Sequence, residues 1–305
     1  MDKLTKDTVQ VPLSIPPEYK EQYITNFLKA THSTGRLMLF AGDQKVEHLN
    51  DDYVGAGISE EDSRPEHMFS IASQARIGVF ATQLGLISKH GADYANVPYL
   101  VKLNSKSHLV AKEQRDPLSN RLWSVGDVLA FKGSSELNIL GIGYTIYLGS
   151  EFEHIMLEQA AQAIFQAHSH GLLSVIWMYP RGRAVPNEKD AHLIAGAAGV
   201  AAALGADFVK VNPPKGDTQS AELIQEAVDA AGNTGIICTG GSSEDPKVFL
   251  EKLYNQIHTG GTRGNATGRN IHQRKLEDAI KLCNAISAIT LDDTTLEQAL
   301  KILNA

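Results

Sequence analysis

Gly205-Ala206-Asp207-Phe208-Val209-Lys210-Val211-Asn212 contains the pattern that the rest of the chain repeats. A helical run closes on a glycine, a polar turn follows, and a short β-rich strand ends in a polar side chain. The helical run before it, Ile194 to Leu204, is rich in Ala and Gly, too short to span a membrane, and preceded by Glu188, Lys189 and Asp190. It reads as a packed amphipathic helix. The same unit recurs and predicts eight strands: Leu37 to Asp43, Gly78 to Gln83, Tyr99 to Asn104, Ile139 to Tyr147, Leu172 to Tyr179, Asp207 to Asn212, Gly235 to Gly240 and Gly264 to Asn270. Eight strands separated by helical patterns point to an α/β protein folded as a (β/α)8 TIM barrel rather than an open doubly wound sheet.

The best-marked helix starts at Asp245-Pro246, an N-cap followed by a first-turn proline, and ends before Gly260-Gly261. No domain boundary or internal repeat interrupts the series, so residues 1–305 read as one barrel domain, with residues 1–36 as a helix-containing extension over one barrel end. Two connections, Gln44 to Glu66 and Ser105 to Asn138, are long; such loops are either functional or surface decoration.

Composition narrows the class. The 28 Lys+Arg against 35 Asp+Glu leave a net charge of −7, which argues against non-specific binding to nucleic acid or anionic membranes. With 43% hydrophobic and 21% charged residues the chain is neither disordered nor a disulfide scaffold. Cys238 and Cys283 fall in a strand and a helix without metal or redox spacing and are expected as buried thiols. The amino terminus has no apolar signal region, and the expected location is cytoplasmic.

In a barrel of this kind the chemistry lies at the carboxyl ends of the strands. Alternation puts Val209 and Val211 toward the helices and Lys210 into the barrel, where burial lowers an ammonium pKa and frees the amine for attack on a carbonyl. A lysine paired with a carboxylate to hold the barrel mouth is the competing reading. Lys102 occupies the same pattern on strand three, and spacing alone does not rank the two lysines.

Trp177 and Tyr179 share one face of strand five, and Tyr179 is expected beside Lys210 at similar height as a proton relay, or as packing. Asp43, on the face of Leu39 and Ala41, could hold an ammonium or a substrate hydroxyl, or cap the next loop. Gly240-Gly241-Ser242 after strand seven and Gly268-Arg269 after strand eight lie where barrels of this class bind phosphate. His168 and His170 end a helical pattern and are weak metal candidates; His48, beside Glu47, fits an orienting role better than zinc ligation. No metal or cofactor is expected.

Taken in order, GDQKVEH, VPYLVKLNSKSHL, DPLSNRLWSVGDVL, GYTIYLGSEFEHIMLEQ, WMYPRG, GADFVKVNPP, TGGS and TGRNIHQR resemble the archaeal-type class I fructose-bisphosphate aldolases. That family also holds aminodideoxyheptulosonate synthases and the thiolase of autoinducer-2 breakdown. The resemblance, from about Leu37 to Lys275, implies that Lys210 forms the imine, Tyr179 transfers the proton and Asp43 is the strand-one aspartate. It assigns phosphate binding to Gly240, Gly241, Ser242, Gly268 and Arg269, leaves Lys102 as a substrate-binding group, and through Trp177 favours the aldolase branch. It implies a homo-oligomer that cleaves fructose 1,6-bisphosphate to dihydroxyacetone phosphate and glyceraldehyde 3-phosphate. The alternatives are a sibling imine enzyme, of synthase or thiolase type, and a non-catalytic phosphosugar-binding barrel. Lys45 and Leu49 stand where relatives carry small residues, which predicts altered bulk and charge at the rim of the site.

Overall fold

The computed structural model describes residues 3–215 and 220–305. Eight parallel strands close a barrel in sequence order: β1 (Leu37–Ala41), β2 (Val79–Gln83), β3 (Tyr99–Lys102), β4 (Ile139–Leu148), β5 (Leu173–Pro180), β6 (Phe208–Val211), β7 (Gly235–Thr239) and β8 (Gly264–Thr267). The ring is completed where Leu37 to Phe40 of β1 pair with Gly264 to Thr267 of β8. A Cβ on Gly264 would stand 2.0 Å from the Leu37 carbonyl oxygen, and its φ is +126°, so only glycine lets these two backbones meet.

Strand alternation sorts the apolar side chains into two cores. Val209, Val211 and Cys238 face outward into the layer between barrel and helices, where the buried Cys283 also packs. Leu39, Ala41, Trp177, Phe208 and Ala266 fill the barrel interior. The helices start where local chemistry dictates. Asp245 accepts from the Lys247 and Val248 amides ahead of Pro246–His258, and Ser124 and Asp127 form a reciprocal cap on Val125–Ser135. Gly205, at φ +89°, follows the end of Ala191–Ala203.

Three strands stop two or more residues earlier than alternation predicts, and β6 and β7 stop one residue earlier. β1 ends at Ala41 because Asp43 begins the short helix Gln44–Glu47. β3 ends at Lys102, and Asn104 turns out of the barrel to pair with Arg121, its side chain bonding the Ser119 and Thr145 carbonyls. β8 ends at Thr267, with Arg269–His272 already helical.

The helix Lys20–Ala30 packs against β4 and β5. Val9, Ile15, Tyr23, Ile24 and Ala30 join the interior core at its amino end. A buried carboxylate fastens this region. Asp207, the residue before β6, accepts from the Tyr23 hydroxyl at 2.5 Å, the Ser174 amide at 2.7 Å and hydroxyl at 3.0 Å, and His168 Nε2 at 3.1 Å. On its other nitrogen, Nδ1, His168 shares a hydrogen bond with the Ser14 hydroxyl, 2.8 Å away. His168 therefore serves as a structural link between extension and barrel.

Asp207→Ala should leave these donors unpaired in a buried site and destabilise the protein by about 3–5 kcal/mol. Urea unfolding with matched m-values checks this; a loss below about 1 kcal/mol, the size of an exposed pair, would show that the extension is held by its apolar contacts alone.

Candidate active site

The carboxyl ends of the strands enclose a cavity of about 150 Å3 whose lining includes Asp43, Trp177, Tyr179, Lys210, Gly240, Gly241, Gly268 and Arg269. Lys210 reaches it because β6 alternates as expected, with Phe208 below it in the interior core. It is 5% exposed, and its ammonium makes no hydrogen bond among the described residues. The nitrogen lies 5.1 Å from the centroid of the Trp177 ring. Burial drives the Lys210 pKa down to about 8, with Lys102 and Arg269 assisting and the carboxylates of Asp43 and Glu47 opposing.

Lys102 is in the opposite situation. It is buried outside the cavity lining, where it donates to Thr145 Oγ1 at 2.7 Å and the Asn104 carbonyl at 3.2 Å, and lies 3.4 Å from Asp43 Oδ2. The Trp177 ring thus lies near both lysines, since Lys102 Nζ is 5.0 Å from the same ring centroid. Asp43 stands at the start of Gln44–Glu47 without a side-chain cap bond, so its carboxylate is turned to Lys102 rather than to the helix.

Tyr179 stands higher than expected. The register pairs Trp177, not Tyr179, with Lys210, which places the phenol two residues nearer the mouth, level with Tyr147. Burial, together with Asp43 and Glu47, raises its pKa well above the usual phenol value, so it is a protonated hydroxyl at neutral pH. Glu47 is itself held by the Tyr147 hydroxyl at 2.5 Å.

On the other side, Gly268 must be glycine, because a Cβ there would stand 2.2 Å from Gln44 Nε2 and 2.7 Å from the Ala41 carbonyl. Arg269 lies 3.5 Å from Asp52, which in turn pairs with His48 Nδ1 at 2.5 Å; His48 orients this rim, as its position beside Glu47 suggested. Ser242 is exposed and does not line the cavity. Its carbonyl instead accepts from Asn270, which also bonds the Gly240 carbonyl and so ties the two glycine segments together. Lys45 does not reach the cavity either: it bonds Asn50 and covers the Tyr53 ring at 4.1 Å. Leu49 adopts φ +54°, backbone geometry that a small glycine takes without cost.

Residues that strand spacing could have supplied also appear. Arg181 continues the alternation of Trp177 and Tyr179, and Asn212 that of Lys210; both line the cavity, as do Glu47, Gln44 and Thr239. Among the described residues, no group of three or more His, Cys, Asp or Glu side chains could hold a metal ion.

Fold and site define an α/β-barrel enzyme in which a desolvated strand-borne amine faces a small polar cavity. Comparison with known proteins specifies the family: the pattern of the DeoC/LacD family aldolases matches residues 37–274, and the chain belongs to that family. It is 59% identical over 98% of its length, and 96% of the relative's, to a Methanocaldococcus jannaschii protein named fructose-bisphosphate aldolase/6-deoxy-5-ketofructose 1-phosphate synthase. A fructose-bisphosphate aldolase structure from Slackia heliotrinireducens is 55% identical, with a TM-score of 0.97 over 99% of this chain and 96% of that one. An archaeal fructose-1,6-bisphosphate aldolase with its catalytic lysine bound as the carbinolamine aligns at a TM-score of 0.75 and 29% identity, over 88% of this chain and 98% of that one.

The low Lys210 pKa makes a direct prediction: 15Nζ NMR should show Lys210 titrating near pH 8, with exposed lysines near about 10.4. The neutral amine then grows about tenfold per pH unit below that midpoint and levels above it. A Lys210 midpoint above 10 would remove the case for it as a neutral nucleophile.

Proposed function

We propose that this protein is a class I, Schiff-base fructose-1,6-bisphosphate aldolase in which Lys210 is the nucleophile. The observation that carries the proposal is the contrast between its two buried lysines: Lys102 is saturated with partners, whereas Lys210 is desolvated, unbonded and open to the cavity. The names of the relatives point to the same substrate. The reading includes a cytoplasmic place in glycolysis and gluconeogenesis and a homo-oligomeric assembly, both carried by the family resemblance.

In the cleavage direction the C1 phosphate rests against Gly240, Gly241, Gly268 and Arg269, which brings C2 to Lys210. The neutral amine adds to the C2 carbonyl, the carbinolamine loses water, and the resulting iminium withdraws electrons from the C3–C4 bond. Tyr179 takes the C4 hydroxyl proton while its own moves toward the nearby carboxylates of Asp43 and Glu47. A phenol with so high a pKa works as a relay and not as a standing base. The bond breaks, the aldehyde leaves, and the enamine is protonated at C3 and hydrolysed to release dihydroxyacetone phosphate. Trp177 walls the imine, and its indole N–H has no partner among the described residues, which suits a substrate acceptor.

A second reading shares the intermediate. The M. jannaschii relative is also named as a synthase, and a Lys210 enamine could be captured by a different aldehyde before protonation. Adding alternative aldehydes to the reaction and identifying the products separates the two.

Borohydride reduction in the presence of fructose 1,6-bisphosphate should fix one substrate fragment on Lys210, located by peptide mass mapping. A fragment on Lys102, or an active Lys210→Met variant, would overturn the assignment. Tyr179→Phe should still be trapped but cleave about 10²- to 10⁴-fold more slowly. Cleavage within a few-fold of wild type would reduce Tyr179 to a packing residue. Arg269→Ala should lower kcat/KM about 10- to 100-fold for C1-phosphorylated ketoses, the worth of one hydrogen bond to a charged group, and much less for a ketose without that phosphate. Equal losses on both would make the arginine structural.

A further inference from the structure

Beside the lysine cavity lies another of about 250 Å3, whose lining includes Lys106, His108, Lys112, Arg115, Arg181 and Glu188. Arg181 belongs to both linings and joins the two spaces. The segments that build this second cavity follow β3 and β5, whereas Gly240, Gly241, Gly268 and Arg269 follow β7 and β8, on the far side of the ring. A ketose held by its C1 phosphate at β7 and β8 and by its imine at β6 therefore extends its other end toward these cations.

The charges are unevenly paired. His108 is taken up by Asp51 at 2.9 Å, and Lys106 has Glu47 at 3.8 Å. Arg115 lies over the Phe152 ring with no carboxylate partner among the described residues. Glu188 takes an unusual position between the other two: Oε1 accepts from Lys112 Nζ at 2.9 Å and Oε2 from Arg181 Nε at 3.1 Å. Glu47 is the next carboxylate to Arg181, at 4.0 Å. One acidic side chain thus spans two cations supplied by different loops, the arrangement that a phosphate would make with them. Burial alone would raise the Glu188 carboxyl, and the bonds to Lys112 and Arg181 overcome it and hold the group ionised.

We propose that this cavity seats the distal phosphate of the sugar and that Glu188 is its built-in substitute, displaced when that phosphate arrives and left in place when the substrate has none. The proposal rests on the Lys210 reading above and adds a specificity device to it. A phosphate carries about −1.5 to −2 charge and replaces a carboxylate of −1, so the site gains only about half to one negative charge on the exchange. The preference for a phosphorylated distal end is accordingly moderate, and a substrate lacking it still meets a neutralised, ordered wall. Without Glu188, the unphosphorylated substrate would leave Lys112 without a carboxylate partner among the described residues and Arg181 with the more distant Glu47, at 4.0 Å.

The test is the ratio of kcat/KM for fructose 1,6-bisphosphate to that for fructose 1-phosphate. Glu188→Gln should raise the ratio about tenfold and Lys112→Met should lower it about tenfold, each reflecting one charged hydrogen bond. Glu188→Asp, which keeps the charge, should stay nearer wild type than Glu188→Gln. Ratios unchanged in both Glu188→Gln and Lys112→Met would overturn the proposal. If the wild type cleaves neither sugar and none is trapped on Lys210, the functional reading fails and the subsite is judged separately by calorimetric titration with inorganic phosphate. Tighter binding in Glu188→Gln and weaker binding in Lys112→Met than in wild type sustain it; equal affinities in all three end it.

Discussion

Lowering the cost of taking the proton off an amine inside a closed barrel is the constraint around which the rest of this molecule is arranged. Burial supplies the main force on Lys210, but burial alone would fail if a carboxylate claimed the ammonium. Asp43 pulls in that direction, and its carboxylate is already engaged by Lys102, 3.4 Å away. Lys102 thus has two effects of one sign: it engages Asp43, and its own charge repels a proton from Lys210. The buried Trp177 ring lies 5.0 and 5.1 Å from the two nitrogens and adds apolar surface to their surroundings. The second lysine, which spacing makes a rival for the imine, is better understood as the group that makes the first one reactive.

Desolvation also needs a sealed floor. Phe208 sits below Lys210 on the same strand face, within an interior core closed by Val9, Ile15, Tyr23 and Ile24 of the amino-terminal extension. The Asp207 network fastens that extension to the residue just before β6, three positions before the lysine. Stability at the amino end and reactivity at the carboxyl end are therefore linked through a single short strand, although the carboxylate touches nothing in the cavity. This is the division of labour expected of the barrel, with packing at one face and chemistry at the other.

How much of this could be read from the chain follows from which relations are local. All eight strands were readable, because alternation and glycine stops are properties of adjacent residues, and so was the inward face of Lys210. The height of Tyr179 was not, because the stagger between β5 and β6 belongs to the closure of the whole barrel. Nor was the difference between the lysines, which depends on Thr145, 43 residues away along the chain. The placement of Ser242 outside the cavity lining was not readable either: Asn270, 28 residues later, takes its carbonyl, while Gly240 and Gly241 stand at the cavity wall. In the Ser105 to Asn138 connection the cations were visible, but Glu188, which gives Lys112 its purpose, comes from a loop 76 residues later.

The other long connection, Gln44 to Glu66, explains why the departures at Lys45 and Leu49 leave the chemistry intact. Its far end is tied to the segment after β8. Asp62 pairs with His272 Nδ1 at 2.7 Å with both side chains fully buried, Gln273 donates to the Asp52 carbonyl at 2.8 Å, and the Ser59 amide bonds the Gln273 carbonyl at 2.9 Å. Asp52 then stands 3.5 Å from Arg269. Lys45 turns into this structure, over Tyr53, whose ring stacks on His272. Its bulk and charge are thus spent on the fold of the loop, and the loop positions the arginine from behind. Asp43, at one end of the connection, stands beside Lys102, while Asp52, further along it, stands beside Arg269. On the proposed reading, one segment therefore sets the separation between the two ends of the substrate that must be held at once, which is what an enzyme that draws its rate from orientation requires of its scaffold.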